Sequence, residues 1–183
     1  MPQPYHHGDL RRALLDAATA TIAESGPAAL SLRDLARRVG VSHAAPAHHF
    51  GDKTGLLTAI AVEGLELLAE EIEGAGGDIL AAGRAYVRFA VTHRAHFEVM
   101  FQPSLLHFDA PEVVAARQRA GQALRDSLAD HRVPPDDRDN AQLAAWSIVH
   151  GFATLWLAGA LPASLGDDAT AAVHPVIRLL FAP

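Results

Sequence analysis

The chain has 183 residues, of which half are hydrophobic and a fifth are charged, a composition typical of a globular protein. It contains no cysteine, which excludes a disulfide framework, a thiolate metal site and a cysteine nucleophile. The formal net charge of −6 excludes the strongly basic balance of many nucleic-acid binders. We expect a cytoplasmic protein without a signal peptide, because the amino-terminal residues lack an apolar segment. A membrane span is not expected either, because the apolar stretch 144–161 is interrupted by Ser147, His150, Gly151 and Thr154.

Charge is unevenly distributed along the chain. Residues 1–55 carry six basic and five acidic side chains, together with five of the eleven histidines. Residues 56–183 carry nine basic and sixteen acidic side chains. A polyanion is therefore expected to bind to the first 55 residues rather than to the remainder.

Helical periodicity extends over almost the whole chain, and runs of alternating β-branched residues are nearly absent. A first helix is predicted to end at Gly26, and a second to run from Ser31 to Gly40. Ser31, with Asp34 three residues on, is predicted to cap the second helix. Asp52 and Asp78 are predicted to cap the fourth and fifth helices, and the glycines of residues 74–77 to form a joint between them. The predicted fold class is all-α with about nine helices: 9–25, 31–40, 42–49, 52–73, 78–93, 94–101, 111–130, 139–160 and 167–181.

Residues 31–50 have the pattern of a helix-turn-helix. Ala36 is small where two helices cross, and Gly40 occupies the turn, where a positive φ angle is unfavourable for most other residues. Val39 and Val41 fill the angle between the helices, and Ser42 is predicted to cap the second of them. That helix would be presented to the major groove of DNA.

Four pieces of sequence resemble the DNA-binding domain of TetR/AcrR-type transcriptional repressors, over about residues 5–60. They are the amphipathic first helix, Leu35-Ala36-x-x-x-Gly40-Val41-Ser42, His48-His49-Phe50 and Asp52-Lys53-x-x-Leu56-Leu57. One branch of that family carries a Trp…His-Gly motif. Two segments of this chain resemble that branch: the lead from Tyr5 to Leu10 and Trp146-Ser-Ile-Val-His150-Gly151.

The resemblance implies an all-α homodimer. Residues 1–55 would form the helix-turn-helix DNA-binding domain, and residues 56–183 a helical ligand-binding and dimerisation domain. Residues 42–49 would read the major groove of a palindromic operator in double-stranded DNA, and a small-molecule inducer would release the repressor. The residues expected to contact DNA are Arg33, Ser42, His43, Ala44, Ala45, Ala47, His48, His49 and Lys53.

Two positions depart from the family pattern. Pro46 stands where Leu or Ile is common, and proline is tolerated only in the first turn of a helix. Ala47 stands where a phosphate-contacting tyrosine is typical, so one backbone contact is lost. Because no Arg or Lys lies between Ser42 and Phe50, we expect the histidines to raise DNA affinity as the pH falls from about 8 to 6. Attachment to phosphates is expected from Arg33, Lys53 and a flexible lead with His6, His7, Arg11 and Arg12.

The carboxyl-terminal half shows no pattern of catalytic or metal-binding residues, so no catalytic group, metal or cofactor is predicted. Aromatic residues and a methionine on neighbouring helices are typical of a ligand pocket or of a core. A ligand cavity is expected to draw on Phe89, His93, Phe97, Met100, Phe101, Trp146 and His150, with the two histidines as its polar groups.

The apolar segment 143–161 and the last helix predict either a four-helix dimer interface or a monomer core. Two-fold symmetry would suit a groove-reading helix that must meet two half-sites. The residues predicted for the interface are Phe152, Trp156, Val173, Ile177 and Leu180.

Three classes of function follow from these patterns. The favoured one is a ligand-responsive DNA-binding regulator, with operator DNA, an unidentified inducer and a second copy of the chain as partners. A small helical enzyme would need a convergent set of catalytic groups, which the sequence does not display. A helical protein-binding adaptor, or a small-molecule-binding protein with a vestigial helix-turn-helix, is favoured only by Pro46, Ala47 and the missing cations of residues 42–50.

Overall fold

The computed structural model describes residues 7–129 and 134–181, with the backbone alone at residues 7–9, 135 and 180. Within these ranges the chain forms nine α-helices, four short 3₁₀ turns and no strand, which confirms the predicted all-α fold. The helices are α1 His7–Ser25, α2 Leu32–Val39, α3 Ala45–Phe50, α4 Lys53–Glu73, α5 Ile79–Thr92, α6 Arg94–Met100, α7 Pro111–Asp126, α8 Arg138–Leu157 and α9 Ala169–Phe181.

Three of the predicted helix caps are confirmed by hydrogen bonds. The hydroxyl of Ser31 accepts from the backbone N–H of Asp34 at 3.4 Å, at the start of α2. The carboxylate of Asp52 accepts from the N–H of Gly55 at 2.8 Å, and that of Asp78 accepts from Leu80 at 2.8 Å. Each cap satisfies a backbone donor that has no partner inside its own helix.

The predicted cap at Ser42 is wrong. Helix α3 begins at Ala45, Ala44 occupies the capping position, and no side chain caps the helix. The reason is Pro46, which lacks an N–H and is tolerated only where helix donors are unpaired in any case. The helix therefore begins one residue before the proline, and Ser42 contributes its backbone carbonyl, which accepts from the N–H of Ala45 at 3.0 Å.

One compact unit consists of residues up to 64 together with residues 94–114. Its core contains Leu14 and Ile22 of α1, Ala36 of α2 and Leu56 of α4, all at most 1% exposed. Helix α6 packs against α1 in this unit. These helices hold α2 and α3 in the helix-turn-helix arrangement that the sequence predicts.

The second compact unit consists of residues 65–93 and of the described residues from 115 onward. Helix α5 is central to it, and packs against both α8 and α9. Gly83 allows the close approach, because a Cβ atom there would lie 2.5 Å from Cδ1 of Ile177. The glycine-rich loop 74–77 lies inside this unit. The predicted division of function at residue 55 stays a prediction.

Candidate DNA-binding and ligand-binding sites

The segment predicted to read DNA is largely accessible. Ser42, His43, Ala44, Ala47 and His48 are exposed, whereas Ala45 and His49 are half-buried and Pro46 is buried. The buried proline anchors α3 to its unit, while the exposed residues form a surface whose side-chain polar groups are one hydroxyl and the two exposed imidazoles. Imidazole nitrogens donate or accept hydrogen bonds, so this surface can contact base edges or phosphates.

The two cations predicted to contact phosphates differ in their surroundings. Arg33 is exposed and forms no ion pair within the described residues. Lys53 is half-buried, and its Nζ donates to the backbone carbonyl of Ala28 at 3.1 Å. An ammonium group has three protons, so the hydrogen bond to Ala28 leaves donors for a phosphate. That bond also fixes the amino-terminal end of α4 against the turn that follows α1.

Arg11 and Arg12 lie on helix α1 and not in the flexible lead that the sequence predicts. His6 lies outside the described residues, as does the side chain of His7. Arg11 lies on α1 with its guanidinium carbon 5.3 Å from the centre of the Phe50 ring, a cation–π contact. Arg12 binds the carboxylates of Asp16 and Glu63, which raise its pKa. These contacts tie α1 to the end of α3 and to α4.

A hydrogen-bonded cluster of three aromatic residues lies between α5 and α8 in the second unit. The hydroxyl of Tyr86 and Nδ1 of His150 are 2.9 Å apart, and Nε1 of Trp146 donates to the same hydroxyl at 3.3 Å. Because the tyrosine oxygen accepts from the indole, its own proton is available to His150. Burial raises the pKa of Tyr86 and lowers the pKa of His150, so both groups are held neutral near pH 7.

The other residues predicted for the ligand cavity divide between the two units. Phe97 and Phe101 form an edge-to-face pair in the first unit, with ring centres 5.4 Å apart. Met100 is buried in the same unit. Phe89 is buried in the second unit, where its ring stacks on that of His93 with centres 5.2 Å apart. Their common role in one cavity stays a prediction.

An open groove of about 610 Å³ lies in the second unit, along the second half of α4 and along α5. Its charged lining residues are Glu70, Glu71, Arg84 and Arg88, and it shares His93 with the predicted cavity. The arginines lie one helical turn apart on α5 and so point to the same side of it. Sequence reasoning missed this groove because it depends on which faces of α4 and α5 remain uncovered.

The residues predicted for a dimer interface are mostly inside the second unit. Phe152, Val173 and Ile177 are at most 8% exposed. Trp156 is half-buried and stacks on Phe152 with ring centres 5.9 Å apart. The side chain of Leu180 lies outside the described residues. Their part in an interface stays a prediction.

Other apolar side chains of the last two helices are accessible. On α8, Leu143 is 56% exposed, Trp146 39% and Leu155 47%, and on α9 Leu179 is 86% exposed. When a helix is apolar nearly all round, its sequence does not indicate which side packs against the core of the same chain. The exposed positions could therefore not be predicted from the sequence.

No group of three or more His, Asp or Glu side chains in the described ranges is arranged to hold a metal ion. Among the helices that the structure describes, none has the length and apolar character needed to span a bilayer.

Comparison with known proteins identifies the class to which this fold and surface belong. Residues 14–60 match a family model described as "Bacterial regulatory proteins, tetR family". Residues 79–180 match one described as "Tetracyclin repressor-like, C-terminal domain". The second match alone covers more than half of the chain. The chain therefore belongs to the TetR family of regulators, as the helix-turn-helix residues predict.

One curated relative and two solved structures illustrate the similarity. The HTH-type transcriptional repressor Rv3405c of Mycobacterium tuberculosis is 44% identical over 57 residues, which is 31% of this chain and 30% of that protein. A protein of unknown function from Rhodococcus sp. RHA1 has 35% identity over 97% of this chain and 96% of its own, with a TM-score of 0.79. AibR, solved with isovaleryl coenzyme A and operator DNA, shares the fold, with 17% identity over 94% of this chain and 98% of its own and a TM-score of 0.70.

Proposed function

We propose that this chain is a ligand-responsive transcriptional regulator that represses from a palindromic operator and is released by a small-molecule inducer. The observation that carries the proposal is an exposed surface around α3, presented by a helix-turn-helix in a family of DNA-binding regulators. Residues 1–55 act as the DNA-binding domain and residues 56–183 as the ligand-binding and dimerisation domain. The protein works in the cytoplasm, and its action requires no catalytic step.

DNA recognition rests on short-range contacts rather than on a strongly positive surface. His43 and His48 offer hydrogen bonds to bases or phosphates, and Ala47 offers an apolar contact to a thymine methyl group. Arg33 and Lys53 supply charge-assisted bonds to the DNA backbone, which fix the position of α3 in the groove. The exposure of Arg33, His43, Ala47 and His48 supports these roles, and the half-buried Lys53 keeps donors free beside its bond to Ala28.

A homodimer supplies the two copies of α3 that a palindrome requires. The exposed face of α8 supports this assembly, because Leu143 and Leu155 remain accessible within a single chain. At Gly151 a Cβ atom would meet nothing within 4 Å, so a second helix can approach closely there. We place Trp146 and His150 in the Trp…His-Gly motif of one branch of the family, at the edge of this face.

Regulation follows from linkage between the two domains. An inducer that binds more tightly to a conformation in which the recognition helices are badly spaced for the operator must weaken operator binding. Operator DNA then weakens inducer binding by the same factor. Helix α4 is a continuous element from residue 53 to residue 73 and contributes to both compact units, so it can carry the change. The similarity to Rv3405c, which is named a transcriptional repressor, supports repression rather than activation.

A second candidate is a ligand- or protein-binding helical protein whose helix-turn-helix is vestigial. It is favoured by the absence of Arg and Lys between residues 42 and 50 and by an alanine at position 47. Direct measurement of DNA binding separates the two candidates.

The test is fluorescence anisotropy with labelled DNA from the region upstream of the gene for this chain, at several salt concentrations. Arg33→Gln is expected to weaken binding and to reduce its salt dependence, since one fewer phosphate is neutralised. Arg138→Gln, which removes an exposed charge at the start of α8, serves as the matched control. Equal affinity for the upstream DNA and for a scrambled duplex in the wild-type protein would contradict sequence-specific regulation.

A further inference from the structure

We propose that the groove along α4 and α5 binds a small amphipathic carboxylate, with Arg84 as the residue that holds the carboxylate. This inference names the ligand class and the ligand site of the proposed regulator, and it rests on that function only for the effect of the ligand on DNA binding. It follows from the charges, the shape and the lining of the groove.

The two arginines of the groove differ in whether a carboxylate holds them. Glu71 is held by Arg88, whose Nε lies 3.2 Å from Oε2 of that carboxylate. Glu70 has Oε1 3.9 Å from Nη1 of Arg119, a cation outside the groove whose hydrogen bonds go to Glu73. Arg84 is exposed and forms no ion pair or hydrogen bond within the described ranges. The groove therefore contains one arginine, Arg84, that no carboxylate of the described residues holds.

Arginine is the side chain best suited to a carboxylate. Its planar guanidinium offers a pair of parallel N–H donors that match the two oxygens of a carboxylate. Arg88 lies one turn further along α5 and directs Nε and Nη2 at Glu71. Its Nη1 makes no hydrogen bond in the described part of the chain, so it remains available as a second donor. One anion can thus contact both arginines without breaking the ion pair with Glu71.

Part of the remaining lining suits an apolar body. Leu67 of α4 and Ala81 and Ala85 of α5 line it beside the arginines. His93 also lines the groove, and its ring stacks on that of Phe89. A volume of about 610 Å³ lies within the range of roughly 300–1,000 Å³ that small-molecule sites occupy. A ligand with a charged end and an uncharged chain uses both parts of this lining.

The inference is tested by isothermal titration calorimetry with octanoate and with octanamide, which has the same length and no charge. We expect octanoate to bind the wild-type protein about tenfold more tightly than octanamide, because charge-assisted hydrogen bonds are stronger than neutral ones. Arg84→Gln should abolish this preference. Arg84→Lys should retain part of it, since the charge remains and the paired donors are lost.

Arg138→Gln is the matched control, because it makes the same charge change at an exposed site of the second unit that does not line the groove. It should leave the preference for octanoate unchanged. The inference is overturned if octanoate fails to bind at millimolar concentration, if acid and amide bind equally, or if Arg84→Gln binds octanoate as the wild type does.

The same proteins are then titrated with operator DNA. If the wild-type protein prefers octanoate but does not bind DNA selectively, the proposed function is refuted and the carboxylate site is retained. Selective DNA binding without that preference would refute the site alone.

Discussion

Replacing Gly40 by alanine tests the turn on which the helix-turn-helix depends. Gly40 has a φ angle of 78° and a ψ angle of 32°, and its N–H donates to the carbonyls of Ala36 and Arg37. A Cβ atom at this position would meet nothing within 4 Å, so the substitution causes no steric clash. Its effect therefore measures the conformation of the turn and not its packing.

The expected cost is set by two opposing effects. An L-residue in the left-handed region costs about 1–2 kcal/mol relative to glycine. Alanine also restricts the unfolded chain, which returns about 0.4–1 kcal/mol. The strain outweighs this gain, so we expect Gly40→Ala to lower the free energy of unfolding by about 1 kcal/mol, or the Tm by about 2–4 °C in a chain of this size.

Thermal unfolding followed by circular dichroism measures this change. Gly40→Asn serves as a control, because asparagine tolerates the left-handed conformation better than alanine and should lose less. Strain at Gly40 is ruled out if Gly40→Ala is as stable as the wild type, or if asparagine costs more than alanine.

The remaining predictions concern the aromatic cluster, the recognition surface and the dimer face. Tyr86→Phe removes the hydroxyl shared by the half-buried His150 and the exposed Trp146, and should cost about 0.5–1.5 kcal/mol in urea unfolding. An unchanged midpoint would contradict the role of the cluster. Because burial lowers the pKa of His150, this histidine binds a proton at higher pH in the unfolded chain than in the folded one. The free energy of unfolding should therefore fall as the pH drops below the ordinary histidine pKa of 6.5. An equal fall of the free energy of unfolding with pH in His150→Gln would refute this. Operator affinity should rise as the pH falls from about 8 to 6 and should rise less in His48→Gln, whereas a flat wild-type profile would eliminate the histidine contribution. Leu143→Asp and Leu155→Asp should each convert the dimer into folded monomers in analytical ultracentrifugation, and dimers that persist in both variants would place the interface elsewhere.

The features that could be predicted from the sequence are those that depend on near neighbours in the chain. The caps at Ser31, Asp52 and Asp78 each follow from a polar side chain two or three residues before the backbone N–H that it binds. The turn at Gly40 follows from the requirement for a left-handed residue. The cap predicted at Ser42 is wrong because the nearby proline decides where the helix begins.

Features that depend on distant contacts could not be predicted. The sequence singles out Trp146 and His150, but their common partner Tyr86 lies 60 or more residues away. The sequence also does not tell which sides of α8 face the core, since Phe152 is buried while Leu155 is exposed. Which apolar side chain stays accessible is decided by the packing of α5 against these helices, and periodicity alone does not report it.

Selection of DNA from a random duplex library by the purified chain is the decisive experiment on DNA recognition, because the operator sequence need not be known beforehand. We predict enrichment of one inverted repeat with half-sites about 34–36 Å apart or a multiple of that spacing, bound by two subunits. Arg138→Gln should enrich the same repeat. Failure of the wild-type protein to enrich any sequence over repeated rounds would contradict two-fold reading of DNA by this chain.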